Sequence, residues 1–237
     1  MDAIDGLHVW RVGLRSEPSV ADRLREYLSR RETERAARFR EELHRQRYIV
    51  AHGALREILA GYLGTSPAGI VFQYSPEGKP SIEHSGSGPS LFFNLSHSDD
   101  LCVVAVARHR EIGIDIERAR EARDLDDVAD RFFSEDERGQ LREMPHGERA
   151  SAFFRGWTAK EAYAKAVGSG LKCPFAAVEV ELRESQPARF ARIEGRTDTA
   201  GRWTLIRPHL ASGYVAAIAI EGPADEPSVF DWDPSQT

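Results

Sequence analysis

The chain has 237 residues, 41% hydrophobic and 30% charged, with a formal net charge of −6. That length allows one large domain or two small ones around a sizeable core, and the acidic balance supplies no global basic field for nucleic acid. The opening residues MDAIDGLHVWRV lack the basic-then-apolar layout of a secretory signal, no apolar run could span a bilayer, and Cys102 and Cys173 are too few for a disulfide framework or a zinc site. The expectation is a reduced, cytoplasmic protein with neither nucleic-acid nor membrane partners.

In chain order, the pattern predicts a strand at 7–14, helices at 20–28 and 31–41, and a longer helix at 42–63 stopped by Gly64 and Pro67. A strand at 70–74 and a turn-rich stretch at 75–90 follow. Strands at 91–95 and 101–107 come next, the second running through a turn at 108–110 into the strand 111–117 as a hairpin. Helices are then expected at 125–132, 134–143 and 147–167, the last stopped by Gly168 and Gly170. Strands at 177–183, 190–194, 203–208 and 213–220 complete the series.

The order strand, helices, long helix, strand, hairpin thus occurs twice. Aligning Gly64 with Gly168 also pairs Arg56 with Lys160 and Glu57 with Glu161. The expected fold is α+β, a pseudo-twofold pair of similar subdomains (1–110 and 111–222), each a small antiparallel sheet packed with a long helix. A ligand cleft is expected at their junction. The acidic, proline-containing segment 223–237 is expected to be a loosely held tail.

Several stretches carry possible chemistry. In EIGIDIE, 111–117, the alternation puts Ile112, Ile114 and Ile116 on a core face and Gly113, Asp115 and Glu117 on the other. Two carboxylates roughly 7 Å apart along a strand suit a hard divalent cation such as Mg²⁺, with Gly113 leaving room for a ligand. A solvated edge strand is the ordinary alternative. In WTAKEAYAKAVGSGLK, 157–172, Trp157, Glu161 and Lys165 fall on one helical stripe. An ordinary surface Glu–Lys pair is the competing reading. However, only four of the 32 basic residues are Lys (Lys79, Lys160, Lys165 and Lys172), and an aromatic shares the stripe. A carboxylate there could complete a metal shell or act as a base, with an ammonium holding a leaving phosphate.

In FFNLSHSDD, 92–100, the turn chemistry of Asn94, Ser96, Ser98 and Asp99 puts His97 at a strand end or loop, as a structural or a phosphate-binding imidazole. EGKP fixes Lys79 in a turn. The Arg-rich segment 30–47 reads mostly as helices laced by salt bridges, with Arg35 and Arg47 as candidates for an anionic ligand.

FNLSHSDDLCVVAV…EIGIDIE followed by WTAKEAYAKAVGSGL resembles the 4'-phosphopantetheinyl transferases of the surfactin-synthetase type. Their signatures run approximately (I/V)G(I/V)D(I/V)E and WxxKEAxxKxxGxGL, with GKP and NxSHS upstream, and the resemblance spans most of the chain. It implies transfer of the phosphopantetheine arm of coenzyme A to a serine of an apo acyl or peptidyl carrier protein, releasing adenosine 3',5'-bisphosphate, by a pseudo-twofold monomer. It also implies Asp115, Glu117 and Glu161 as Mg²⁺ ligands, and Glu161, Lys165 and His97 as the catalytic set. In that set Glu161 takes the serine proton and Lys165 neutralises or protonates the leaving group. Coenzyme A contacts would come from Ser96, His97, Lys160 and Lys165, from Lys79 and Pro80 near the adenine, and from Arg35 and Arg47 near the 3'-phosphate. One position that is basic in some relatives is Glu32 here, with Arg30 and Arg31 beside it. The rival readings are a Mg²⁺-dependent phosphodiesterase, which needs neither GKP nor the Ser-His loop, and a non-catalytic coenzyme A or carrier-binding module, which has no use for Glu161 and Lys165.

Overall fold

The computed structural model describes residues 6–82, 90–120 and 125–235. Part of the expected turn-rich stretch, 83–89, lies outside them. The first half runs β1 (His8–Gly13), α1 (Pro18–Arg25), α2 (Arg30–Ala36), α3 (Glu42–Leu63), β2 (Phe72–Tyr74), β3 (Pro80–Ile82), β4 (Leu91–Ser98) and β5 (Leu101–Arg108). The second runs β6 (Ile112–Arg118), α4 (Leu125–Phe132), α5 (Glu135–Glu143), α6 (His146–Val167), β7 (Val178–Val180), β8 (Phe190–Ile193), the single turn α7 (Thr197–Ala200), β9 (Trp203–Ile206) and β10 (Tyr214–Glu221). A last strand, β11 (Ser228–Asp231), follows.

The halves match element by element. α3 and α6 each have 22 residues, and each ends at a left-handed glycine, Gly64 at φ 63° and Gly168 at φ 70°. A Cβ makes that conformation costly, so glycine stops both helices at the same place. β5 pairs antiparallel with β1 and β4, as β10 does with β6 and β9, while β2–β3 and β7–β8 form small hairpins.

The repeat extends to single atoms. Ser29 caps α2 in a box with Glu32, and Ser134 caps α5 in a box with Glu137. Each boxed glutamate turns inward onto a cation of the long helix, Glu32 to Arg56 at 2.7 Å and Glu137 to Lys160 at 2.8 Å. Arg56 also donates to the carbonyls of Pro67 and Ile70, and Lys160 to those of Phe175 and Val178. A buried cation therefore ties each long helix to a capped short helix and to the turn behind it.

The core explains the alternation along the strands. Val12, Phe93, Val104 and Val106 pack with α3, and Leu205, Ala217 and Ala219 pack with α6. Between the two sheets, Val9, Val103 and Ala105 share a third core with Ile112, Ile114, Ile116 and Ile218. The layers are thus helix, sheet, sheet, helix. β5 is apolar on both faces because it lies between α3 and the second sheet. The α+β pseudo-twofold architecture agrees with the sequence pattern.

Two expectations are corrected. β6 does not form a hairpin with β5; the turn, with His109 at φ 59°, passes the chain from one sheet to the other, and β6 pairs with β10. Residues 223–235 are not a loose tail. β11 adds parallel to β1, Arg11 holds Asp231 at 2.6 Å, and Trp232 packs on the first core while its indole donates to Glu57 at 3.0 Å. Among the described residues no helix is long and apolar enough to cross a membrane.

Candidate active site

The site begins where an edge strand of one sheet meets an edge strand of the other. β6 pairs with β10 on one side, and on its other side the amides of Ile114, Ile116 and Arg118 need acceptors. β4 supplies them from side chains. Asn94 Oδ1 accepts from Ile114 at 2.9 Å, Ser96 Oγ from Ile116 at 3.4 Å and Ser98 Oγ from Arg118 at 3.1 Å. The two serine hydroxyls then donate to the acids on β6, Ser96 to Asp115 Oδ1 and Ser98 to Glu117 Oε2, both at 2.8 Å. Asn94, Ser96 and Ser98 are thus strand residues, not turn formers. Only Asp99, at φ 49°, shows the expected turn conformation.

α6 covers the acid-bearing face of β6. A Cβ on Gly113 would lie 2.0 Å from the Ala162 carbonyl oxygen and 2.4 Å from the Ala166 amide nitrogen. The space expected there for a ligand is therefore filled by the helix backbone, and only glycine permits that approach. It brings Lys165 Nζ to 2.6 Å from Asp115 Oδ1 and 2.9 Å from Ser96 Oγ.

The electrostatics of the acids are strained. Burial, then the charges of Asp115 and Glu117 against the relief of Lys165, push the Glu161 carboxyl above its ordinary value. Burial and Asp115 push Glu117 up too, opposed by the Ser98 hydrogen bond and by Lys165 and Arg120. Asp115 is 4% exposed, and its Oδ2 is buried with no hydrogen-bond partner. Among the described residues no three acidic, His or Cys side chains are gathered closely enough to hold a metal as they stand. Even so, the donor set fits a hard cation. It consists of carboxylate oxygens, one of them orphaned and buried, and in two of its acids burial, with the charge of Asp115 adding to it, raises the carboxyl above its ordinary value.

The other expected residues are distributed as follows. His97 lies beside Ser96 on β4 with part of its surface open to solvent; the protein packed around the rest of the ring desolvates it, and this, then the charges of Lys165, His52 and Arg47, lower its pKa against the pull of Asp115. Arg47 hydrogen-bonds Asp100 in the β4–β5 turn, while its buried Nε has no partner. Arg35 is exposed and influences Tyr48 and Tyr74, with Arg31 at 3.7 Å over the Tyr74 ring. Burial first, with Glu32 adding and Arg35 and Arg31 opposing, pushes Tyr48 up to about 12. Lys79 donates to Glu111 and to the Ala166 carbonyl, both at 2.5 Å, bracing the end of α6, and Pro80 opens β3.

Lys160 departs from expectation. Fully buried and held by Glu137 and two carbonyls, it has no ammonium face left for coenzyme A. Glu32 is likewise no surface position near a phosphate but the buried counter-ion of Arg56. Sequence reasoning assigned no role to Asn94 and Ser98 beyond turn formation, although their period-two spacing was visible, and passed over His52, which packs on Tyr48 at 4.0 Å between ring centroids.

Residues 111–219 match the family model described as 4'-phosphopantetheinyl transferase superfamily, and residues 16–109 match the one described as 4'-phosphopantetheinyl transferase, N-terminal. The 4'-phosphopantetheinyl transferase HetI of Nostoc sp. is 38% identical over 230 residues, covering 97% of this chain and 91% of that protein. The chain belongs to the 4'-phosphopantetheinyl transferase superfamily. Within that superfamily it is also 30% identical to the transferase gsp of Aneurinibacillus migulanus, over 71% of this chain and 65% of that one. A 4'-phosphopantetheinyl transferase of Bacillus subtilis is 32% identical over 69% of this chain and 70% of its own. The two transferase models meet at the crossing from β5 to β6, so each covers most of one structural half.

Proposed function

We propose that this chain moves the 4'-phosphopantetheine arm of coenzyme A onto a serine of an apo acyl or peptidyl carrier protein in a Mg²⁺-dependent reaction. The observation that carries the reading is the buried Asp115, with one oxygen bound to Lys165 and Ser96 and the other left without a partner. Asp115, Glu117 and Glu161 would hold the cation. Bound there, it would offset the charge of the acids and of the coenzyme A pyrophosphate.

The chain's own residues account for the proton movements. The serine oxygen forms a bond to the phosphorus carrying the pantetheine arm, and the bond from that phosphorus to the oxygen of the adenosine bisphosphate breaks. Glu161 takes the serine proton, directly or through water, and its raised pKa makes it a stronger base once ionised. Lys165 neutralises or protonates the leaving phosphate, a task for which an arginine, which does not give up its proton, is unsuited. Adenosine 3',5'-bisphosphate leaves. His97 meets the coenzyme A phosphates, Ser96 stays behind it with its one proton on Asp115, and Arg35, Arg47 and Lys79 border the adenosine end.

The paired halves place in one chain what a symmetric dimer would divide, which favours a monomer. The free, buried thiols of Cys102 and Cys173 suit the reducing cytoplasm. The test is incubation with coenzyme A, Mg²⁺ and apo carrier proteins of fatty-acid, polyketide and peptide-synthetase type, read by intact mass. At least one carrier should gain the phosphopantetheine mass in a reaction abolished by chelation. No gain on any of them overturns the reading.

A further inference from the structure

The side-chain ladder between β4 and β6 has three rungs, and they are not alike. Asn94 only accepts the Ile114 amide. Ser96 accepts the Ile116 amide and the Lys165 ammonium and gives its one proton to Asp115. Ser98 accepts the Arg118 amide and gives its one proton to Glu117. A hydroxyl has a single donor, so the Ser98 bond fixes both the rotamer of the serine and the direction of the Glu117 carboxylate.

Ser98 is itself 8% exposed, and β4 and β6 belong to different sheets. It therefore links the position of an acid in the second half to the backbone of the first. Among the described residues, Ser98 is the one hydrogen-bond donor to the Glu117 side chain. Without the serine, the longer and more exposed of the two β6 acids would be free to sample several rotamers, at an entropic cost on each binding event.

We propose that Ser98 is a positioning residue that holds the Glu117 carboxylate ready for the divalent cation, while Asn94 only secures the seam between the halves. The proposal rests on the reading of Asp115, Glu117 and Glu161 as the cation's ligands. Partners that orient a metal-binding carboxylate are typically worth about 10-fold to 100-fold in metal affinity, and that range is expected here.

The experiment titrates Mn²⁺ into the intact protein with bound coenzyme A, followed by electron paramagnetic resonance, for wild type, Ser98→Ala, Ser98→Thr, Asn94→Ala and Glu117→Gln. Thermal melts are run on every variant. Ser98→Ala should weaken Mn²⁺ binding by about 10-fold or more, raise the Mg²⁺ concentration needed for half-maximal transfer, and leave kcat at saturating Mg²⁺ near wild type. Ser98→Thr, which keeps the hydroxyl, should recover most of the affinity. Asn94→Ala should lower the melting temperature with Mn²⁺ affinity unchanged.

Wild-type Mn²⁺ affinity in Ser98→Ala, or an equal loss in Asn94→Ala and Ser98→Ala that follows their melting temperatures, overturns the positioning role alone. If Glu117→Gln binds Mn²⁺ as well as wild type does, the ligand assignment beneath it fails as well.

Discussion

Lys160 and Lys165 share one helix and one charge, yet burial separates their tasks. Lys165 stays partly open beside Asp115, whereas Lys160 is sealed among Glu137, Phe175 and Val178. Burial pulls the Lys160 amine below the ordinary lysine range, and Glu137 opposes that pull. Removing one partner of such a pair leaves an uncompensated charge, so Lys160→Ala should cost about 3–5 kcal/mol in denaturant unfolding. The KM for coenzyme A, measured where the variant is folded, should not change. A raised KM with unaltered stability would return Lys160 to the ligand set. The scarcity of lysine drew attention to both residues but could not tell them apart, because Glu137 reaches Lys160 only through the packing of α5 on α6. A hint was present, since the alignment of halves paired Lys160 with Arg56, and both prove to be structural cations.

At the scale of elements, the approach of α6 to β6 decides where the acids lie relative to Lys165. Gly113→Ala would drive a Cβ into the helix backbone, at 2.0 Å from a carbonyl oxygen that no rotamer change can move. The expected result is a stability loss of about 3 kcal/mol, at the upper end for overpacking, together with a fall in kcat as α6 is displaced from β6. A fully active, fully stable variant would contradict the contact.

The short helix α2 offers a pH test. Burial alone would raise the Glu32 carboxyl, but the approach of His52, the hydrogen bonds of Arg56 and Ser29, and the Arg56 charge outweigh it and hold it at about 2 against an ordinary 4.5. A depressed acid contributes stability above its unfolded pKa that is lost as pH falls through the folded value. Wild type should therefore lose roughly 3 kcal/mol between about pH 4.5 and 2 from this group. Glu32→Gln, less stable at neutral pH, should show a shallower acid dependence in urea melts; identical slopes would count against the pair. Helix bounds near α3 and α6 were legible because apolar periodicity and stopping glycines are local signals. The partner of β6 was not, since a tight turn after β5 looks the same whether it closes a hairpin or changes sheets.

For the molecule as a whole, the pseudo-twofold repeat yields two equivalent glutamates with different surroundings. Glu161 meets no hydrogen-bond donor among the described residues and lies near Asp115 and Glu117, whereas Glu57 is held by Arg23 and by Trp232 from the last segment. Trp232, just past the C-terminal strand, thus meets the first half's counterpart of Glu161. Deleting 223–237 removes β11 and the Trp232 packing, and should lower Tm by roughly 5–10 °C, corresponding to a loss of about 2–3 kcal/mol. Transfer kinetics of the folded truncation should be unaltered; a folded but inactive one would place the segment in the reaction. Its acidity and prolines suggested a loose end because composition does not reveal that Arg11, Arg23 and the edge of β1 await it.

The central claim is that acids from β6 and α6 act together at the seam between the halves. Single-turnover transfer to an apo carrier, read by intact mass, tests it most directly when run on wild type, Asp115→Ala and Glu161→Ala with coenzyme A binding measured alongside by calorimetry. Transfer should be abolished in both variants while coenzyme A binding partly survives. Full transfer by either variant would contradict the claim.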